Sequence, residues 1–274
     1  MTPIAIADPP RRRGATPRLV ASALAPLVLL LVASAGRAGG TVSPDPTEWN
    51  ALLSRYVTPK GVRYAAWHAH AEDRDALARY LERLQAADVA ALMTTSAGRK
   101  EALAYWINLY NAATVDLVLD GYPVKSIRDL GDAKTSPWER PVVTVQGRAL
   151  TLDALENEVI RPEFREPRVH FALNCAAKSC PPLRAEAYVA DRLEQQLEEQ
   201  TKAFLADPAS NAFDGERRLT LSRIFEWYAK DFEASGPVVA WVRRYVPGLG
   251  ALPPDHPVEI RYGEYDWSLN EARP

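Results

Sequence analysis

Lys100-Glu-Ala-Leu-Ala-Tyr-Trp-Ile-Asn-Leu-Tyr-Asn-Ala-Ala-Thr-Val-Asp-Leu-Val-Leu-Asp120 is the most regularly patterned stretch of this 274-residue chain. Its apolar residues recur at helical intervals and cover almost the whole circumference of a helix. The pattern predicts a buried central helix that begins after a break at 96–98 and stops at Gly121. Asn108 and Asn111 lie within it, and buried amides need hydrogen-bond partners. They can either bind the backbone of neighbouring loops or line an active-site cleft.

Shorter patterned segments lie on both sides of this helix. Helices are predicted at 47–56, 73–90, 154–160, 191–205, 223–232 and 238–246, and strands at 61–64, 142–145, 148–151, 211–221 and 258–262. The elements do not alternate as regular βαβ units, and no linker separates a second domain. The sequence therefore predicts a single α+β domain over residues 41–274. We expect the central helix to pack on a small mixed or antiparallel sheet.

Residues 1–38 have the pattern of an export signal. The arginines at 11–13 and Arg18 precede an apolar run at 19–35, which Pro26 interrupts and small residues end. A membrane span usually needs about 20 apolar residues, so a cleaved signal peptide is the primary expectation and an uncleaved anchor is the alternative. The mature protein would then be periplasmic or secreted, in a compartment where two cysteines can pair.

The charge distribution argues against nucleic acid as a partner. The whole chain has a formal charge of −2, and residues 1–40 contain five arginines and one aspartate, so the remainder is acidic. It has no basic stripe of the kind that binds phosphate backbones. Contact with a membrane is expected only through the leader, if it is not cleaved.

The stretch Arg168-Val-His-Phe-Ala-Leu-Asn-Cys-Ala-Ala-Lys-Ser-Cys-Pro-Pro-Leu183 contains both cysteines and one of the four histidines. The apolar run at 169–173 predicts a buried strand. An irregular loop is expected from Asn174 to the two prolines, which cannot donate backbone hydrogen bonds. A thiol that leaves a core strand in such a loop is well placed to act as a nucleophile on a rigid support.

A cysteine nucleophile has to ionise, and a histidine oriented by a carboxylate is its usual base. Glu156, His170 and Cys175 follow one another within twenty positions, and His170 is the one histidine inside an apolar run. Five extended residues cover about 16 Å, so Cys175 can contact His170 only if the chain bends after residue 172 or 173. Cys180 could instead fold back to the imidazole, and the spacing leaves the choice between the two thiols open.

Three simpler interpretations compete with this one. His170 can be a hydrogen-bonded core histidine, and Cys175 and Cys180 can form a small structural disulfide in an exported protein. Two cysteines and one histidine could also bind zinc, but no fourth ligand stands at a standard spacing. The sequence therefore predicts no metal and no cofactor.

Four blocks of this sequence resemble a known family: Ala104-Tyr-Trp-Ile-Asn-Leu-Tyr-Asn-Ala112, Leu152-Asp-x-x-Glu156, Val169 to Leu183 of the stretch above, and Tyr265-Asp-Trp-Ser-Leu-Asn270. The family is the bacterial and plant one catalogued as domain of unknown function 547, and the similarity extends over residues 49–270. It implies a fold similar to papain-like or transglutaminase-like cysteine hydrolases, with a triad at Glu156, His170 and Cys175. Plant members keep the cysteine at the position of Cys175 and often have serine at that of Cys180, which favours Cys175 as nucleophile.

Two functions follow as hypotheses. The first is an exported cysteine hydrolase that cleaves peptide or γ-glutamyl amide bonds, with backbone amides of residues 176–179 stabilising the oxyanion. Its partner would be a peptide-like or γ-glutamyl small molecule. The second is a non-catalytic envelope protein that binds a peptide or partner in a groove at Asn108 and Asn111, with Cys175 and Cys180 joined as a structural disulfide.

Overall fold

The predicted central helix is present as α4 (Ser96–Gly121) in a computed structural model that describes residues 44–132 and 134–272. All residues from 102 to 115 are buried, as an almost wholly apolar helix requires. The helix begins before the predicted start, because the hydroxyl of Thr95 accepts a hydrogen bond from the amide of Gly98 at 3.0 Å. The expected break at 96–98 is therefore wrong, and these residues form the first helical turn.

The other elements surround α4. The remaining α-helices of the described residues are α1 (Thr47–Tyr56), α2 (Tyr64–His68), α3 (Ala71–Gln85), α5 (Leu152–Ala154), α6 (Arg161–Phe164), α7 (Val169–Ala172), α8 (Leu193–Leu205), α9 (Ile224–Trp227), α10 (Ala229–Phe232) and α11 (Val238–Val242). The strands are β1 (Val57–Thr58), β2 (Gly61–Val62), β3 (Pro141–Val145), β4 (Arg148–Thr151), β5 (Ala212–Phe213), β6 (Arg218–Leu221) and β7 (Glu259–Tyr262). A π-helical turn, Leu155–Ile160, joins α5 to α6.

The strands form three small sheets. Two are antiparallel hairpins, β1–β2 and β3–β4, and the third has the order β5–β6–β7 with β6 and β7 parallel. The mixture of helices and small sheets confirms the predicted α+β class. No helix in residues 44–132 or 134–272 combines the length and the apolar character needed to cross a membrane. The predicted signal segment, 1–38, lies outside the described residues.

The hairpin predicted around Gln146-Gly147 is confirmed. Both turn residues have left-handed backbone conformations, with φ of 50° at Gln146 and 78° at Gly147. That is the geometry of the two-residue turn whose twist matches antiparallel strands. The helical segment that follows is capped by Thr151, whose hydroxyl accepts a hydrogen bond from the Ala154 amide at 2.9 Å.

The strand predicted at 169–173 is wrong, because this segment forms the short helix α7. The amides of Val169 and His170 donate to the carbonyls of Glu166 and Pro167, which closes a helical turn. All four residues of α7 are buried, and a run this short contains no period that separates a buried helix from a buried strand. Because a helix rises about 1.5 Å per residue, the chain from His170 to Cys175 is shorter than the predicted strand.

α7 lies where two apolar clusters meet. Val169 and Ala172 belong to the larger cluster, which surrounds α4, and Phe171 belongs to a second cluster built from α8 to α11 and the β5–β6–β7 sheet. His170 is also buried, and its ring stacks on Tyr228 with the ring centres 4.0 Å apart. The fold therefore holds this imidazole between two packed layers.

Asn108 and Asn111 of α4 bind loop backbone, which is the first of the two predicted alternatives. The Asn108 side chain donates to the carbonyl of Tyr188 at 2.8 Å and accepts from the amide of the same residue at 3.0 Å. Asn111 donates to the Ala172 carbonyl at 2.9 Å and accepts from the Asn174 amide at 2.8 Å. Each side-chain amide thus provides hydrogen-bond partners for one carbonyl and one N–H group in the backbone of a loop that packs on the central helix.

We expect Asn108→Ala and Asn111→Ala to destabilise the fold to a similar extent. Each change leaves a buried carbonyl and a buried amide without a partner, so the free energy of unfolding should fall by roughly 2–4 kcal/mol in urea titrations. Only Asn111 contacts the backbone next to Cys175. Alkylation of that thiol should therefore change its pH dependence in Asn111→Ala and keep it in Asn108→Ala; equal profiles would contradict this assignment.

Candidate active site

The cysteine loop, residues 173–180, brings the two thiols together. Cys175 is partly exposed and Cys180 is buried, both are free thiols, and their sulfur atoms are 2.8 Å apart. The backbone amide of Cys175 also donates to the Cys180 sulfur at 2.9 Å. Ala176 has a φ of 60°, a left-handed conformation that is unfavourable for a residue with a Cβ atom. Such strain persists only where the surrounding contacts enforce it, as is common at functional sites.

A segment far along the chain, residues 265–270, holds the cysteine loop from the outside. The amide of Lys178 donates to the Ser268 carbonyl at 2.8 Å, and the amide of Ser179 donates to the Asp266 carbonyl at 3.2 Å. The Ala176 amide binds the Asn174 side chain at 3.1 Å. These three amides are therefore occupied, and of the amides at 176–179 that were expected to stabilise an oxyanion, the one that lies beside the Cys175 sulfur is that of Ala177.

Cys175 is the thiol that ionises more readily. Its hydrogen bond with Cys180, the nearby hydroxyl of Tyr265 and the amide of Ala177 lower the pKa of Cys175, although burial and the charge of Glu156 oppose this. The hydroxyl of Tyr265 is 3.4 Å from the Cys175 sulfur. Burial raises the pKa of Cys180 well above its usual range, so Cys180 keeps its proton and serves as a donor.

His170 lies between two carboxylates. Its Nε2 atom is 2.8 Å from Oδ2 of Asp231, and its Nδ1 atom is 3.6 Å from Oε1 of Glu156. The side chain is 1% exposed, and Nδ1 has no hydrogen-bond partner within the described residues. The structure therefore brings two of the three predicted triad residues, Glu156 and His170, next to each other, and adds a third group that the sequence pattern did not single out.

That added group, Asp231, is held in its ionised form. Burial opposes its ionisation, but hydrogen bonds from His170 and Arg161 outweigh this effect and hold the pKa of Asp231 well below its usual range. Arg161 donates to it through Nε at 2.7 Å and Nη2 at 3.2 Å. The sequence offered one indication of this residue, namely its spacing in a predicted helix. Asp231 is three positions after Tyr228, so both residues lie on one face of that helix.

Cys175 and His170 are not directly bonded. Over residues 44–132 and 134–272, the hydrogen bonds of the Cys175 sulfur are those to Cys180 and Tyr265. The Glu156 carboxylate acts on both predicted partners, since it lies beside the imidazole and its charge opposes ionisation of the thiol. Burial and the same carboxylate raise the pKa of Tyr228, so its hydroxyl stays protonated beside them. In the part of the chain that is described, no three His, Cys, Asp or Glu side chains form a cluster able to hold a metal ion.

Residues 94–205 match a family model described as "Protein of unknown function, DUF547". The matched region contains Glu156, His170 and both cysteines, whereas Asp231 and Tyr265 lie outside it. No curated protein and no solved structure matches the chain significantly. The resemblance to papain-like and transglutaminase-like enzymes therefore stays a prediction.

We expect Tyr265→Phe to raise the pKa of Cys175, because the substitution removes a hydroxyl that stabilises the thiolate. The pH dependence of iodoacetamide labelling should have its midpoint below the ordinary thiol value of about 8.5 in the unmodified chain. Loss of this hydrogen bond should move that midpoint upward. Tyr105→Phe is the matched control, since the Tyr105 hydroxyl binds the Leu84 carbonyl instead. An unchanged midpoint in Tyr265→Phe would refute the role of this hydroxyl.

Proposed function

We propose that this protein is an exported cysteine hydrolase that cleaves peptide or γ-glutamyl amide bonds, with Cys175 as the nucleophile. The observation that carries the proposal is a partly exposed thiol whose pKa is lowered by a neighbouring thiol and a phenol. A lowered pKa and partial exposure are the properties that distinguish reactive cysteines from buried structural ones. A cysteine nucleophile also needs a group that accepts its proton. We assign this role to the ionisable groups at His170.

The reaction would proceed through a thioester. The Cys175 thiolate forms a bond to the carbonyl carbon of the substrate, and the carbon–nitrogen bond breaks as the amine leaves with a proton. Water then attacks the thioester, which releases the acid and restores the thiol. During both steps negative charge moves onto the carbonyl oxygen. We assign its stabilisation to the Tyr265 hydroxyl, because burial raises the pKa of Tyr265 and keeps it a donor beside the sulfur.

Transfer of the Cys175 proton would involve Glu156, His170 and Asp231. Asp231 binds Nε2 and so orients the imidazole, which is the role that the sequence hypothesis gave to Glu156. Glu156 faces the other ring nitrogen and also acts on the thiol. Since Cys175 and His170 share no hydrogen bond, we propose that the proton passes between them through the Glu156 carboxylate or one water molecule.

Cys175→Ala should abolish hydrolysis of chromogenic peptide and γ-glutamyl anilides, because no other group forms the thioester. His170→Asn and Glu156→Gln should each lower kcat about 10²- to 10⁴-fold, the usual contribution of general acid–base catalysis. Cys180→Ala should retain measurable activity with a higher pKa for the remaining thiol. Asn108→Ala controls for destabilisation alone. Full activity of Cys175→Ala would eliminate the proposal.

One observation favours the second function, a binding protein with a structural disulfide. The two sulfur atoms are 2.8 Å apart, so an oxidant that removes both thiol hydrogens could join them with little movement of the backbone. Mass spectrometry of freshly exported protein without reductant distinguishes the two functions. We expect two free thiols; a complete disulfide that no reductant converts into an active form would support the binding protein.

A further inference from the structure

Four aromatic side chains form a continuous surface beside the Cys175 thiol, which we call the aromatic wall: Trp138, Trp227, Tyr265 and Trp267. The Trp267 ring is 4.6 Å from Tyr265, 5.8 Å from Trp227 and 5.6 Å from Trp138, measured between ring centres. Trp227 is 41% exposed, and the other three side chains are partly buried. Exposed aromatic groups that lie together mark binding surfaces more often than single exposed ones do.

The wall reaches the reacting atom. Tyr265 and Trp267 are two positions apart, and their ring centres are 4.6 Å apart, so the two side chains lie next to each other. The Tyr265 hydroxyl contacts the Cys175 sulfur at 3.4 Å. A substrate bound along the wall would therefore have one of its bonds next to the Cys175 thiol.

A cation with no ion pair among the described residues lies on Trp267, the central ring of the wall. The guanidinium carbon of the exposed Arg128 is 4.3 Å from the centre of the Trp267 ring. Among the described residues the Arg128 side chain makes no ion pair and no hydrogen bond. Arg161, Arg168 and Arg184, in contrast, are each bound to carboxylates. A guanidinium that stacks on an indole keeps the N–H groups along its edge available. These groups can bind a carboxylate through two parallel hydrogen bonds.

Neighbouring charges do not cancel this cation. Asp129 accepts hydrogen bonds from the backbone amides of Lys125 and Ser126, and Asp266 binds Ser268 and lies 3.7 Å from Lys178. Both carboxylates are thus engaged by other groups. Lys125 is exposed and forms no ion pair within the described residues, so it adds positive charge near Arg128. Arg128, Lys125 and Lys178 outnumber Asp129 and Asp266, so this part of the wall keeps a net positive charge and is suited to an anion.

We infer that the substrate is a short peptide whose free terminal carboxylate binds Arg128 while its chain lies on Tyr265 and Trp267. This inference rests on the proposed function and narrows it. The contacts from guanidinium to indole, phenol and sulfur follow one another, so Arg128 lies within roughly 15 Å of the thiol, the length of about four extended residues. A short peptide can therefore place its terminal carboxylate at Arg128 and one of its amide carbonyls at the thiol, and the chain length that reacts best measures the separation.

Paired chloroacetyl peptides test this assignment without knowledge of the natural substrate. Chloroacetyl-glycine peptides of one to four residues would be prepared with a terminal carboxylate or a terminal carboxamide. The Cys175 sulfur forms a bond to the methylene carbon and chloride leaves, and mass spectrometry gives the rate. At the best length the carboxylate form should react about tenfold faster than the carboxamide, as expected for one charge-assisted contact. The preference should shrink at high salt.

Substitution of Arg128 provides the decisive comparison. Arg128→Gln should abolish the preference, and Arg128→Lys should keep part of it, because an ammonium lacks the planar two-point geometry. Arg244→Gln is the matched control, since Arg244 is stacked on Trp241 and Tyr245 outside the wall. No preference at any length, or a preference that survives in Arg128→Gln, would overturn the inference.

A second measurement separates this inference from the proposed function. Tryptophan fluorescence of Cys175→Ser, titrated with the same peptides lacking the chloroacetyl group, reports binding to the wall without any reaction at the thiol. Tighter binding of the carboxylate form, lost in Arg128→Gln, would support the inference even if no amide were hydrolysed. Hydrolysis with equal binding of both forms would support the hydrolase and refute the carboxylate site.

Discussion

The arrangement of the candidate site depends on one buried side chain, the amide of Asn111. It donates to the backbone just before the cysteine loop and accepts from the backbone at the start of it, at 2.9 and 2.8 Å. Because Asn111 lies in the stretch of the central helix that is buried on all sides, the position of the loop is fixed by the core of the fold. The left-handed Ala176 and the two adjacent thiols are then consequences of a chain that has to turn sharply within this clamp.

A second constraint is electrostatic. Three ionisable side chains around His170, namely Glu156, Asp231 and Arg161, lie close together in a largely apolar junction. Charges in such a place persist only when they are paired, and the two-point contact of Arg161 with Asp231 provides that pairing. Within the described residues Glu156 makes no such two-point contact, and Nδ1 of the imidazole beside it has no hydrogen-bond partner. The negative charge of Glu156 also acts on Cys175. It therefore lies where a proton has to move in the proposed reaction.

The sequence predicted those features that are local and repeated. The helix around residues 102–115 and the hairpin at Gln146-Gly147 follow from many residues with one period or from two residues with one turn geometry. The strand predicted at 169–173 was wrong, because a buried run as short as this one is compatible with either a strand or a helix. Asp231, Tyr265 and Arg128 were not singled out as site residues, since each reaches the site from 47 to 90 positions away. Tyr265 begins one of the four blocks that resemble the family, but nothing in that block indicates a contact with the thiol. Contacts of that kind are set by how the layers pack, which no local pattern contains.

The loop that carries the thiols and the strand-like segment that covers it are 90 positions apart in sequence. A growing chain that has been synthesised only through α8 already contains both sulfur atoms, yet it lacks the phenol that lowers the pKa of Cys175 and the carboxylate that binds His170. Its thiols would have the ordinary reactivity of unstructured cysteines. The lowered pKa of Cys175 is thereby tied to completion of the fold.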